Sequence, residues 1–315
     1  MSKIKFGVNI DEAPEMLWHA DYNATKNMAQ QAELLGYTSL WVMDHFYWGK
    51  GPRALGGEGT VFEPWTLLSA LAIETDKMKL GVMVSCNSFR HPSIIAKVAA
   101  TIDVISNGRV IFGYGAGWFQ EEYDAFGFPF LSPSVRLNQM KEAIIVIKKL
   151  WTEKRTTFQG KYYNLQNAPG NPKPIQKPYP PIMIGGGGEK LTLRIVAELA
   201  DMWNLYGVPI EIYKRKVDIL TTYCDALGKK ITDIELTWTG NLTLANDAKQ
   251  LQKKIDRYIK ENRIYSVPNI IASTYDDCIE KLQQFVDIGC THFIFNLQTF
   301  NEDKEAFMEK IAPSF

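Results

Sequence analysis

The sequence lacks a surplus of charge of either sign: Lys plus Arg and Asp plus Glu each number 35 in 315 residues. No broad field is available to hold a polyanion, and no basic tract interleaved with aromatics marks a nucleic-acid groove. Cysteine is scarce and scattered. Cys86, Cys224, Cys278 and Cys290 show no CxxC spacing, which argues against a disulfide framework or zinc knuckle and leaves reduced, buried fillers. The histidines His19, His45, His91 and His292 are equally dispersed, without the paired spacing of a catalytic metal site. No stretch is apolar for long enough to span a bilayer, and Met1 to Gly7 carries no signal-like apolar core, so a soluble, cytoplasmic protein is expected. A GxSxG elbow, a GxxxxGK(S/T) loop and a repeat of solenoid period are also missing.

What is present is alternation. With 46% hydrophobic side chains, the chain can bury one large core, and β-rich runs alternate with helical periods from start to finish, the pattern of parallel βα units. Strands are expected at Lys5–Val8, Ser39–Met43, Lys79–Val84, Arg109–Tyr114, Ile182–Ile184, Met202–Leu205, Glu235–Leu244 and His292–Asn296. The first helix, Ala24–Leu35, puts Met28, Ala32 and Leu35 on one face and meets Gly36 at its C-terminus. Another opens near Pro64, and a third, capped by Ser93, sets Ile94, Val98, Ile102 and Ile105 along its buried stripe. The strongest helix is Ser134–Trp151, with Leu137, Met140, Ile144, Ile147 and Trp151 at helical spacing. A hairpin at Thr156–Leu165 and a proline-rich extended segment form an insertion before helices at Glu189–Ala200, Ile210–Leu227, Ala248–Asn262 and Tyr275–Ile288, and a terminal helix from Asp303. Eight strands, mostly each followed by a helix, argue for a closed (β/α)8 TIM barrel occupying residues 1–315 as one domain.

In such a barrel the chemistry lies where strands end. Strand two ends in Asp44-His45-Phe46; the histidine is a candidate proton carrier, although a loop-capping Asp beside a packed His explains the dipeptide equally well. Strand three ends in Met83-Val84-Ser85-Cys86-Asn87-Ser88, an abrupt change to small polar residues that suits either a cofactor ring or an ordinary strand-to-loop passage. Strand four ends in Gly113-Tyr114-Gly115-Ala116-Gly117-Trp118, where backbone can approach a flat ligand, without the third glycine of the dinucleotide fingerprint. The run Gly185-Gly186-Gly187-Gly188 opens a helix and offers bare N–H groups to a phosphate, a tight turn without ligand being the alternative. Glu121 and Glu122 read as solvated and Glu63 as a favourable helix-dipole charge before Pro64. The aromatics Phe46, Tyr47, Trp48, Phe62 and Trp118 suit an apolar pocket or a simple cover for the core.

Taken together, LWVMDHF (Leu40 to Phe46), EPWTLLSALA (Glu63 to Ala72), FRHPSIIAKVAATIDVISNGRV (Phe89 to Val110), GAGWFQEEYDAFG (Gly115 to Gly127), FQGKYYNL (Phe158 to Leu165) and the stretch Pro172 to Asn204 resemble the luciferase-like monooxygenase superfamily, in its coenzyme F420-dependent oxidoreductase branch. The match covers the first two thirds in order and only the outline after Gly207. The resemblance implies a bacterial-luciferase-like barrel, a homodimer, and a deazaflavin ring in the mouth with hydride passing between it and a small organic substrate. Carried over by position, it makes His45 the acid or base with Asp44 beside it, and Met83-Val84 a non-proline cis peptide supporting the ring. It further implies Cys86 and Asn87 at the ring's polar edge, Gly115 and Gly117 beneath it, and Gly185, Gly186, Gly187, Gly188 and Thr192 around the phosphate. Trp118 stands where some sugar-phosphate-oxidising relatives have a glutamate, so their substrate does not follow. An FMN-dependent monooxygenase and a non-catalytic flavin-binding protein are the competing expectations.

Overall fold

Residues 4–10, 21–46, 61–260, 270–297 and 301–315 are described by the structure, a computed structural model; His19, Tyr47, Trp48 and the end of the expected helix at Asn262 lie outside them. The chain begins with β1 (Lys5–Asn9), α1 (Tyr22–Leu34), β2 (Ser39–Val42), α2 (Pro64–Glu74), β3 (Lys79–Val82), the short β4 (Ser85–Cys86), α3 (Pro92–Ile105) and β5 (Val110–Gly115). It continues through α4 (Gln120–Phe126), α5 (Pro133–Thr152), the antiparallel hairpin β6 (Arg155–Gln159) and β7 (Asn164–Pro169), then β8 (Ile182–Gly185), α6 (Thr192–Leu199) and β9 (Met202–Tyr206). The last part is α7 (Ile210–Ala226), β10 (Glu235–Ala245), α8 (Ala248–Lys260), β11 (Ile270–Thr274), α9 (Tyr275–Asp287), β12 (Cys290–Asn296) and α10 (Lys304–Lys310).

Eight of these strands close into a ring. They pair in parallel in the order β1, β2, β3, β5, β8, β9, β10, β12, and β12 returns to β1. Because side chains alternate across a strand, one set of residues fills the barrel and the other meets the helices. Trp41, Met83, Ile111, Met183, Met202 and Ile294 form the inner cluster. Gly81 makes room for the largest of them, since a Cβ there would stand 2.3 Å from the Trp41 ring. The outer set, including Val8, Leu40, Val82, Phe112, Ile184, Trp203 and Phe293, joins the buried faces of the helices in one large core. Truncating a side chain as large and buried as Trp41 to Ala would cost about 3–5 kcal/mol.

Local signals explain most boundaries. Asp21 accepts from the N–H groups of Asn23 and Ala24 at the start of α1, and Gly36 follows its end at φ +92°. Three details differ from the sequence pattern. Helix α3 begins at Pro92 with His91, not Ser93, as its cap, and its buried face is Ile95, Ala96, Ala99, Ala100, Ile102 and Asp103. Ile94 and Ile105 are instead 57% and 47% exposed; α3 is apolar on both sides, so periodicity alone cannot choose the inner one. Helix α6 starts at Thr192 rather than Glu189, since the chain first turns through Gly186 at φ +119°. Finally, β11 occupies ground expected to be a loop and pairs with Asn241–Ala245, the part of β10 that extends past the ring.

Candidate active site

Strands β2, β5, β8 and β9, with the β3–β4 kink, surround a cavity of about 570 Å³ at their C-terminal ends, a size suited to a cofactor or small-molecule site. The adjacent residues after β2 take different partners. Asp44, 4% exposed, accepts from Cys86 N at 2.7 Å, Ser85 Oγ at 3.1 Å and both terminal nitrogens of Arg90 at 2.7 and 3.0 Å. Its oxygens are committed to holding β4 and Arg90 in place. Arg90 also pairs with Glu63, whose carboxylate caps α2 by accepting from Thr66 N at 2.7 Å.

His45 is 6% exposed and lines the cavity. Its Nδ1 lies 3.0 Å from Glu122 Oε2, while Glu122 Oε1 accepts from Phe46 N. Expected to be solvated, Glu122 is 1% exposed and faces the cavity; Glu121 does remain exposed. Where Nδ1 donates to that carboxylate, Nε2 is the acceptor nitrogen of the neutral ring. A readable signal existed: Glu122 lies three residues after Phe119 and four before Phe126, on the aromatic side of α4.

The expected kink is present, with a cis peptide between Met83 and Val84. Val84 explains two glycines around it. A Cβ on Gly115 or Gly185 would come within 2.6 or 3.0 Å of the Val84 side chain, so these bare strand ends seat the valine at the cavity wall, whereas a Cβ on Gly113 would strike the Val82 carbonyl oxygen at 2.0 Å. Gly117 has φ +76°, and a Cβ there would meet Tyr123 Oη and Cys86 Sγ, themselves 3.0 Å apart. Burial pushes the Cys86 thiol up to about 12, so it lines the cavity as a neutral group.

Met83, Val84, Cys86, Gly115, Gly117, Gly185, Gly186 and Thr192 thus share one cavity with Asp44 and His45. Asn87 does not line it; its Oδ1 accepts from Tyr114 Oη at 2.9 Å and Tyr163 Oη at 3.3 Å. Gly187 and Gly188 also stand back, where a Cβ would crowd Leu205 and Thr192.

Arg136 is a further cavity residue that the apolar spacing of α5 conceals. It is 6% exposed, donates to the Leu131 carbonyl and lies 4.0 Å over the Phe130 ring, while its Nε has no hydrogen-bond partner among the described residues. A guanidinium at the cavity wall is suited to an anionic group of a ligand.

Residues 4–283 match the luciferase-like monooxygenase family model. An F420-dependent glucose-6-phosphate dehydrogenase of Microbacterium testaceum is 29% identical over 90% of both chains. An FMNH(2)-dependent dimethylsulfone monooxygenase of Pseudomonas putida is also 29% identical, over 68% of this chain and 56% of that protein. Among solved structures, an F420-dependent secondary alcohol dehydrogenase in complex with an F420-acetone adduct superposes with a TM-score of 0.81 at 22% identity, covering 98% of each chain. With a family model matching residues 4–283, this chain belongs to the luciferase-like monooxygenase family.

Proposed function

We propose that this chain is a coenzyme F420-dependent oxidoreductase acting on a small organic alcohol or its carbonyl counterpart. The observation that carries the reading is the His45–Glu122 pair, a proton-carrying group held in position at the wall of a cofactor-sized cavity. The cavity also fits the cofactor chemically. Val84 and the bare backbone of Gly115 and Gly185 offer a wall for a flat ring, and the guanidinium of Arg136, with Thr192 and Gly186, suits its anionic tail. When bound, the deazaflavin supplies the hydride acceptor or donor at C5. His45 takes the alcohol proton as the carbonyl forms and returns it in the reverse direction, while Glu122 fixes the imidazole's orientation.

The similarity to an FMNH(2)-dependent monooxygenase favours a second reading, with FMN in the same cavity. Titrating the protein with F420 and with FMN separates the two: saturable binding of F420 at micromolar concentration, with FMN much weaker, supports the first, and the reverse order contradicts it. A cofactor store without activity needs no oriented histidine.

We further propose a homodimer joined through α2 and α3. Their outward residues Ile73, Ile94 and Ile105 are 74%, 57% and 47% exposed, apolar surface on the solvent side of two helices that are already apolar within. Light scattering should give twice the monomer mass, with I73E/I105E shifting the population to monomer. Among the described residues no helix is long and apolar enough to cross a membrane.

A further inference from the structure

We infer that the mouth of the cavity selects an uncharged aryl alcohol or aryl ketone, whose ring rests on Trp118. This goes beyond the oxidoreductase reading above and depends on it for its chemistry. Trp118 is 66% exposed and lines the cavity. An exposed apolar residue alone means little, but this one is held in a fixed attitude. Its indole stacks on Phe119, with centroids 5.3 Å apart and planes at 29°, and meets His45 edge-on at 5.9 Å and 82°. A flat group lying beside that indole is therefore next to the imidazole that would take its proton.

The surroundings extend the same surface. Phe89, Phe119 and Tyr123 also line the cavity, and Phe89 continues into Phe46 and Phe128 at centroid distances of 4.8 and 4.9 Å. Charge is sparse by comparison. Among the described residues Arg136 is the one lysine or arginine lining the cavity, and it is already covered on one side by Phe130. A phosphorylated sugar would compete with the cofactor tail for that guanidinium, whereas an aryl group needs only the aromatic wall. The step balances: the carbinol carbon gives a hydride to the deazaflavin, the hydroxyl gives its proton to His45, and the ketone C=O forms.

The test uses the F420-loaded protein with 1-phenylethanol, 2-propanol and glucose 6-phosphate as substrates, and acetophenone as a binding probe. The wild type should prefer 1-phenylethanol over 2-propanol by about tenfold in kcat/KM, the order of one aromatic contact. W118A and W118L should bring that ratio close to one, with W118F retaining most of it and F420 affinity within about twofold throughout. Preference for glucose 6-phosphate, an unchanged ratio in W118A and W118L, or loss of F420 affinity in place of the ratio would overturn the inference. Acetophenone binding is read separately by calorimetry. If it is tight and Trp118-dependent while no alcohol is turned over, the aryl site stands and the oxidoreductase reading falls.

Discussion

Two histidine–glutamate pairs, each with a buried imidazole, lie at opposite ends of the same barrel. At the C-terminal mouth His45 Nδ1 is 3.0 Å from Glu122 and borders the cavity. At the N-terminal end His292 Nδ1 is 3.4 Å from Glu235, its Nε2 is 2.7 Å from Ser39 Oγ, and Ser39 also accepts from Trp41 Nε1 at 2.8 Å. The residue types are alike and their accessibility is not. His292 is 2% exposed and sealed among side chains, so its imidazole has no route to a substrate. Burial lowers the His292 pKa below its ordinary value. Burial also works to raise Glu235, but His292 and the Lys5 ammonium outweigh it and bring that carboxyl down to about 2. The same pair of groups is a structural plug at one end and a candidate acid–base device at the other, and access to the cavity makes the difference.

The sharpest way to break that contrast is at the mouth. E122L leaves Phe46 N and His45 Nδ1 without this acceptor, and kcat per folded molecule should fall by about 100-fold or more, beyond a stability loss of about 1–3 kcal/mol for the unpaired buried donors; steady-state kinetics with calorimetry checks both. R136M removes the cavity's guanidinium and should weaken F420 binding by about 10–100-fold, as expected for a lost charge-assisted bond. A titration showing equal affinity would remove Arg136 from the cofactor site.

At the sealed end the effect should appear in stability. H292A removes the hydrogen bond between Ser39 Oγ and His292 Nε2 and takes one of its two cationic neighbours from Glu235, which keeps Lys5, and denaturant unfolding should show a loss of about 1–3 kcal/mol while kcat per folded molecule is kept. The smallest effect is in pH dependence. Both groups have depressed pKa values in the folded protein, so the unfolded chain binds more protons and stability must fall with pH. The decline should begin as pH drops below about 6.5, where His292 protonates in the unfolded chain, and continue from about 4.5 towards 2 as Glu235 follows. H292A/E235Q should flatten that slope; an unchanged slope would assign acid sensitivity to other carboxylates.

Much of the barrel was legible because its cause is local. Strands such as Val110–Gly115 and helices such as Pro133–Thr152 show their periods in sequence, and Asp44-His45 and Gly115 stand where those periods stop. β11 was not legible, since a five-residue strand beside an extension of β10 depends on tertiary pairing rather than on its own pattern. Arg136 was passed over for a related reason: a charge on a helix is ordinarily solvated, and only the assembled cavity reveals that it is buried, whereas Glu122 had its place among the aromatics of α4 to announce it. The kink at Met83-Val84 came from family resemblance; nothing in the two residue types announces it.

The most direct measurement is the single-turnover rate of F420 bleaching by an alcohol in wild type, H45A and H292A, with cofactor affinity determined on the same samples. All three proteins should bind F420 within about twofold, and H45A alone should lose about 100-fold or more in rate. Equal rates in wild type and H45A, or an equal loss in H292A, would contradict the assignment of proton transfer to the mouth of the barrel.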